Sequence, residues 1–218
     1  MGIIKQGILG GFSGKVAGVV GTSWKGRAIM KALPLSVANP RTTDQVAQRT
    51  SFKKVSSVGS AILTKICRNV YNPIAGDISG FNKYTSKNKQ MFDGAGAFQF
   101  AQTTIGGGTL QHDQLDDITL HADEVRLDAN WDMPVTTPAA REGDEAFAYA
   151  IEPISGNIWV AGHERTRSDE HQTLELAKAG SDLIGQLQVY GYVAFVDPSG
   201  RQVSIEASGF QKQVDFGA

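Results

Sequence analysis

The 218-residue sequence has a single cysteine, Cys67, so no disulfide can close within the chain. That suits a reducing compartment, or a particle built in one. No apolar run approaches the roughly 18 residues of a membrane span, so no membrane-spanning segment is expected. Lys5 is the only charged residue before a start broken by glycines, which makes a poor signal peptide. Gln6 stands where a myristoylation site wants Ser or Thr. Acids are scarce in the first half. Residues 1–109 hold three (Asp44, Asp77, Asp93) against fourteen Lys and Arg, a net of +11. Residues 110–218 hold nineteen acids against seven basic residues, a net of −12, and the halves nearly cancel to the overall −1. Such a split points to two regions with different neighbours. The basic half suits phosphate, with non-specific nucleic-acid contact as one outcome, or the acidic half of a neighbouring copy.

Catalytic motifs are missing as well. Gly14-Lys15 suggests a P-loop, but Leu9 stands where the first glycine is needed and Val16 where Ser or Thr must follow the lysine. Gly21 and Gly26 have the right separation, but Arg27-Ala28 follow. The glycines also miss the dinucleotide fingerprint, and no strand–helix–strand unit follows them. His112, His121, His163 and His171 match no metal-ligand spacing. Asp113, Asp116 and Asp117 read as a charged loop rather than a calcium site. Cys67 falls in a helical pattern with nothing to activate it. No Ser, Thr or Cys acquires a base partner from the sequence. The expectation is a protein without catalytic residues, cofactor or metal.

What the sequence does have is an unusual opening. Gly7 to Gly26 holds seven glycines, separated by Ile8, Leu9, Phe12, Val16, Val19, Val20 and Trp24. A mobile linker would use serine and other polar spacers. Large apolar spacers need something to bury against, and glycine permits close backbone approach. The stretch therefore reads as an assembly element, with Gly7, Gly10, Gly11, Phe12, Gly14, Val16, Trp24, Lys25 and Gly26 at the interface. Trp24 is its candidate anchor.

Periodicity places the rest. Thr42 and Gln45 fit a capping box. Val46, Phe52, Val55, Val58, Ile62, Ile66 and Val70 recur at helical spacing up to Asn72-Pro73. Asp77 to Gly80 cap a second helix through Phe81, Tyr84 and Met91 or Phe92, completing a helical hairpin. Gly106-Gly107-Gly108 reads as a hinge. Beyond it the period becomes 2, and about seven short strands end near Ala207. Their turn spacing suggests a fibronectin type III or Ig-like β-sandwich. The expected class is α+β, with a basic region 1–109 and an acidic sandwich 110–218. Trp131 belongs to the sandwich core. Trp159, out of phase with Ile158 and Val160, and Tyr192 are candidate residues for binding a glycan or a surface.

The opening Met1-Gly2-Ile3-Ile4-Lys5-Gln6-Gly7-Ile8-Leu9-Gly10-Gly11-Phe12-Ser13-Gly14-Lys15-Val16, followed by Val19-Val20-Gly21 and Trp24-Lys25-Gly26, resembles a family of unknown function abundant in Bacteroidota and their phages. Asn39-Pro40-Arg41-Thr42, Gln45 to Arg49, Thr166-Arg167-Ser168-Asp169, Val189-Tyr190 and Phe195 to Ser204 are similar too. Ala17 departs from the glycine usual at that place. The resemblance implies an N-terminal assembly segment, a helical region and a sandwich, and it transfers no catalytic residue. The expected function is a non-enzymatic structural protein, a phage virion component located in the virion or in the host cytoplasm during assembly. Its partners would be other copies or other particle proteins.

Overall fold

The computed structural model describes residues 2–4, 11–36, 39–132 and 142–217. The chain divides into two compact units, Met1–Arg41 and Thr42–Ala218.

The first unit is a four-stranded antiparallel meander: β1 (Gly2–Ile4), β2 (Phe12–Val16), β3 (Val19–Trp24) and β4 (Arg27–Ala32), adjacent in chain order. Two-residue turns make the register. Lys25 and Gly26 both have positive φ, 46° and 79°, as a type I′ hairpin turn requires. Ala17 (φ 48°) opens the β2–β3 turn. The sequence led us to expect an assembly segment here; the element formed is a four-stranded sheet.

In the second unit, α1 (Thr43–Ala61) starts where the Thr42 hydroxyl accepts the Gln45 N–H at 3.4 Å. After Ile62 the helix widens. Through Leu63–Tyr71 the N–H groups of Cys67 and Asn72 donate to carbonyls five residues back, Ile62 and Cys67, at 3.1 Å each. This π-helical pitch puts two adjacent pairs, Ile66–Cys67 and Val70–Tyr71, on the buried side. Next, α2 (Gly80–Lys87) is capped by Ser79, which accepts the Asn82 N–H at 3.2 Å. It packs on Gly59, where a Cβ would lie 2.9 Å from the rings of Phe81 and Tyr84. Then come β5 (Thr104–Ile105), β6 (Leu115–Leu120), β7 (Leu127–Trp131), β8 (Glu145–Glu152), β9 (Asn157–Ala161), β10 (His171–Lys178), β11 (Gly185–Val196), β12 (Ala207–Ser208) and β13 (Phe210–Phe216).

Seven of these form one antiparallel sheet, in the order β13-β11-β8-β9-β10-β7-β6. It curls into a near-barrel. One cluster of buried residues draws on all seven strands: Leu115, Leu127, Ala148, Trp159, Leu174, Val193 and Val214. Across the remaining seam Lys212 of β13 meets Asp117 of β6 at 2.6 Å. The interior pairs small with large. Ala146, Ala148, Ala150 and Ala161 make room for Trp131, Trp159, Phe195 and Phe216, the interdigitation that dense packing requires. The protein is thus mostly β-sheet with short helices.

The outer face of β8, β9 and β11 is buried too. Phe147, Tyr149, Ile151, Ile158, Val160 and Tyr192 share a core with Val55, Ile62, Ile66, Val70, Tyr71 and Tyr84 of the helical region. Residues on both sides of Gly106–Gly108 therefore build one core. The glycine triplet, read as a hinge, is a packed seam. Gly107 and Gly108 N–H both donate to the Ser204 carbonyl at 2.9 Å. Gly106 and Gly107 hold φ of 87° and 122°, and a Cβ on Gly108 would lie 2.8 Å from the Val203 carbonyl carbon. The expected division at 109/110 thus falls inside the second unit.

Candidate functional site

The N-terminal sheet is built so that its two faces differ. Residues directly opposite share a face, and successive residues alternate. The register pairs Gly14 with Gly21 and Gly21 with Met30, Val16 with Val19 and Val19 with Ala32, and Ser23 with Ala28. One face thus carries Phe12, Gly14, Val16, Val19, Gly21, Ser23, Ala28, Met30 and Ala32, with no charge among them. The backbone of Gly2 extends the glycine row, since it pairs with Gly14. The row is a trough partly filled by Phe12, whose ring covers Gly21; a Cβ there would lie 2.6 Å from Phe12 Cδ2. Gly11 folds over the same side, where a Cβ would lie 2.5 Å from that of Ala28. Gly14 also holds φ 103°, which an L side chain rarely adopts. The face is left open: Val16 is 48% and Met30 69% exposed.

The opposite face has cross-strand rows Lys15–Val20–Lys31 and Trp24–Arg27, with Thr22–Ile29 between them. Of the expected interface residues, Phe12, Gly14 and Val16 therefore meet on the uncharged face, together with Gly11. Trp24, 49% exposed, lies on the other face. Lys25 and Gly26 form the turn. Gly7 and Gly10 lie outside the described residues.

The surface-binding candidates are corrected by burial. Trp159 and Tyr192 are both 0% exposed. Trp159 stacks on Phe216 and donates its indole N–H to the Val125 carbonyl at 2.8 Å. Tyr192 stacks on Tyr149, centroids 4.9 Å apart. Neither offers a ring to a ligand, because the strands that carry them are covered on both faces.

Sequence reading missed a buried ionic cluster at one end of the near-barrel. Arg167 is fully buried. Its guanidinium meets Asp113 at 2.9 Å, Asp144 at 3.2 Å and the Gln111 carbonyl at 2.8 Å, and lies 4.1 Å from the Phe195 ring centroid. Trp131 donates its indole N–H to the Arg167 carbonyl. Burial, opposed by Arg167, holds the Asp113 carboxyl above its ordinary range. Burial and then the nearby Arg167 push His112 down to about 4. The cluster joins segments 54 residues apart, and no local motif announces it. It ties the segments carrying Gln111, Asp113, Asp144 and Arg167 together.

Other chemical candidates disperse. Burial pushes the Cys67 thiol up to about 12, which keeps it protonated and unreactive. Asp113 faces Arg167, Asp117 faces Lys212 and Asp116 is exposed, so the three do not converge on a cation. Among the described residues no three His, Cys, Asp or Glu side chains gather as a metal site. A cavity of about 700 Å³ is lined by Asp44, Gln48, Ser51, Lys89, Asp93 and Gln99. Within it Asp93 is taken by the Ala97 N–H and the Gln99 amide.

The sequence profile of DUF6266, a family of unknown function, matches residues 11–208. The chain belongs to this family. For this DUF6266 protein, no curated protein and no solved structure gives a significant match. The match begins at Gly11, so it takes in β2, β3 and β4 of the N-terminal sheet as well as most of the second unit.

Proposed function

We propose that this protein is a non-enzymatic assembly protein, and that the uncharged face of its N-terminal sheet stacks on the same face of a second copy. The observation that carries the reading is a four-stranded sheet whose apolar face, with Val16 and Met30 about half or more exposed, is left open. A lone sheet needs a covered hydrophobic face to be stable, and open apolar surface marks interaction sites. A face without charge does not repel its own copy, whereas the cationic face would. The glycine row lets two such sheets approach closely.

The size of the face sets the kind of assembly. Four strands at ~4.8 Å by about five residues at ~3.4 Å give roughly 300 Å² of footprint. A stable pairwise complex buries about 800 Å² on each partner. One sheet pair is therefore weak, and multivalent assemblies, in which weak contacts reinforce one another, suit it better than a free dimer. A phage or phage-like particle, assembled in the host cytoplasm, is such a setting, and other particle proteins would then be neighbours. Within the same proposal we place the finer fold reading: the curled sheet encloses Trp131 and Trp159 between its walls as the faces of an Ig-like or fibronectin type III sandwich would.

The test is light scattering after size exclusion on the full chain, over a range of concentrations. Wild type should show concentration-dependent association, and Met30→Glu with Val16→Glu should abolish it without lowering the melting temperature of the second unit. A wild type that stays monomeric at all concentrations, by itself and with candidate particle proteins, sinks the proposal.

A further inference from the structure

The charge of the N-terminal sheet is confined to one side. Residues 1–41 contain six Lys and Arg and no Asp or Glu. On the sheet, Lys15 and Lys31 flank Val20 in one cross-strand row. Arg27 sits opposite Trp24 in another, and Lys25 stands in the turn beside it. Between the rows, Thr22 adds a hydroxyl. The result is a cationic face with a half-exposed indole cross-strand from a guanidinium.

We propose that this face binds single-stranded nucleic acid, without sequence preference. Lysines on neighbouring strands suit the phosphates of an extended polyanion. Trp24 supplies a stacking surface for a base, and every base has a π-face, so stacking does not select sequence. An acidic protein surface would need the cations alone and gives the open indole no task. The inference stands apart from self-assembly: it uses the opposite face, and a monomer would bind as well as an assembled copy. Three to four cations at ~0.7 counterions each give a log–log salt slope near −2 to −3. Affinity should then fall roughly 20- to 50-fold between 50 and 200 mM salt.

The molecule carries its own reporter. Trp131 and Trp159 are 3% and 0% exposed, so a titrant that quenches tryptophan fluorescence reads Trp24. Adding oligo-dT to the full chain at 50 mM salt should quench that emission. Fluorescence anisotropy of labelled oligo-dT should then show about a tenfold loss for Trp24→Ala, in line with the stacking of one base. Trp24→Phe should recover most of it. Lys15→Glu with Lys31→Glu should lose more and flatten the salt slope. Met30→Gln, on the other face, should bind as wild type does. Far-UV circular dichroism checks that each variant keeps its sheet. Three results would overturn the proposal: no binding of oligo-dT at 50 mM salt, unchanged binding in the double Glu variant, or poly-glutamate binding as tightly as oligo-dT with Trp24→Ala harmless. The last would assign the face to an acidic protein partner.

Discussion

The Cδ2–Cε2 edge of the Phe12 ring lies beside Gly21 on the next strand, close enough that a Cβ at position 21 would come within 2.7 Å of both ring carbons. Gly21 is fully buried, although most of the sheet around it is open. The two residues lock β2 onto β3. Gly21→Ala must push the ring off or part the strands. We expect it to abolish the ordered N-terminal sheet and self-association while the second unit melts as before. Limited proteolysis, mapped to residues before Arg41, reads the first effect and calorimetry the second. An ordered, associating Gly21→Ala protein would show that the contact is dispensable.

Ala17 makes the opposite case. It opens a two-residue turn at φ 48°, where a Cβ costs about 1 kcal/mol relative to glycine. Ala17→Gly should stabilise the first sheet by up to roughly 0.5 kcal/mol after the extra unfolded-state entropy of glycine is counted. Slower hydrogen exchange of the β2 and β3 amides would register it. Faster exchange would mean that the turn gains from alanine.

The shared core predicts how the chain can be cut. A fragment spanning residues 42–218 should unfold cooperatively. A fragment spanning 110–218 exposes Phe147, Tyr149, Ile151, Ile158, Val160 and Tyr192, all buried against the helical region in the whole chain. It should aggregate or bind hydrophobic dyes. A cooperative, soluble 110–218 fragment would show that the sheet tolerates an uncovered wall.

Arg167 sits between two carboxylates with no exposed surface. Arg167→Ala removes the cation and leaves Asp113 and Asp144 uncompensated, at a cost of about 3–5 kcal/mol. Chemical denaturation should show the loss, and adding Asp113→Asn should return part of it. A change under 1 kcal/mol would mean that the cluster is solvated on opening.

Acid should weaken the fold through His112. An unfolded histidine takes its proton near pH 6.5, whereas burial, aided by Arg167, holds folded His112 neutral down to about 4. Between those values the unfolded chain binds more protons, so stability is lost as pH falls from 6.5 toward 4, by about 2–3 kcal/mol. Asp113 works the other way, because its raised carboxyl takes up a proton earlier in the folded state. Comparing wild type with His112→Gln across this pH range isolates the histidine, and the variant should give the flatter curve.

Much of the second unit was legible. Thr42 and Ser79 cap helices where their side chains were expected to, and alternation marked β6 to β11. β13 was not, because its exposed positions (Gln211, Gln213, Asp215) and the seam residue Lys212 leave only Phe210, Val214 and Phe216 as an apolar signal. The last of the expected short strands, Val203–Ala207, gives isolated bridges and two residues of β12. Trp159 and Tyr192 misled because alternation separates two faces but does not say that one is open; here a helical layer covers the second. The N-terminal sheet was hidden by its composition. Glycine is a poor strand former, and only the register set by two tight turns shows that the glycines line up on one face and the lysines on the other. The Arg167 cluster depends on contacts between distant segments and has no local signature.

The order of strands in the two larger sheets has a consequence during synthesis. β1 to β4 pair only with their immediate neighbours in sequence, all before residue 33. The meander can form while nearly everything else is still being translated, since local pairings close fastest. The large sheet must wait: its edge strand β13 ends at Phe216, and β8 finds β11 only after β9 and β10 have been made. Neighbouring ribosomes on one message would therefore display finished N-terminal sheets ahead of finished bodies. Under the proposed stacking of those sheets, nascent chains would meet before either is released.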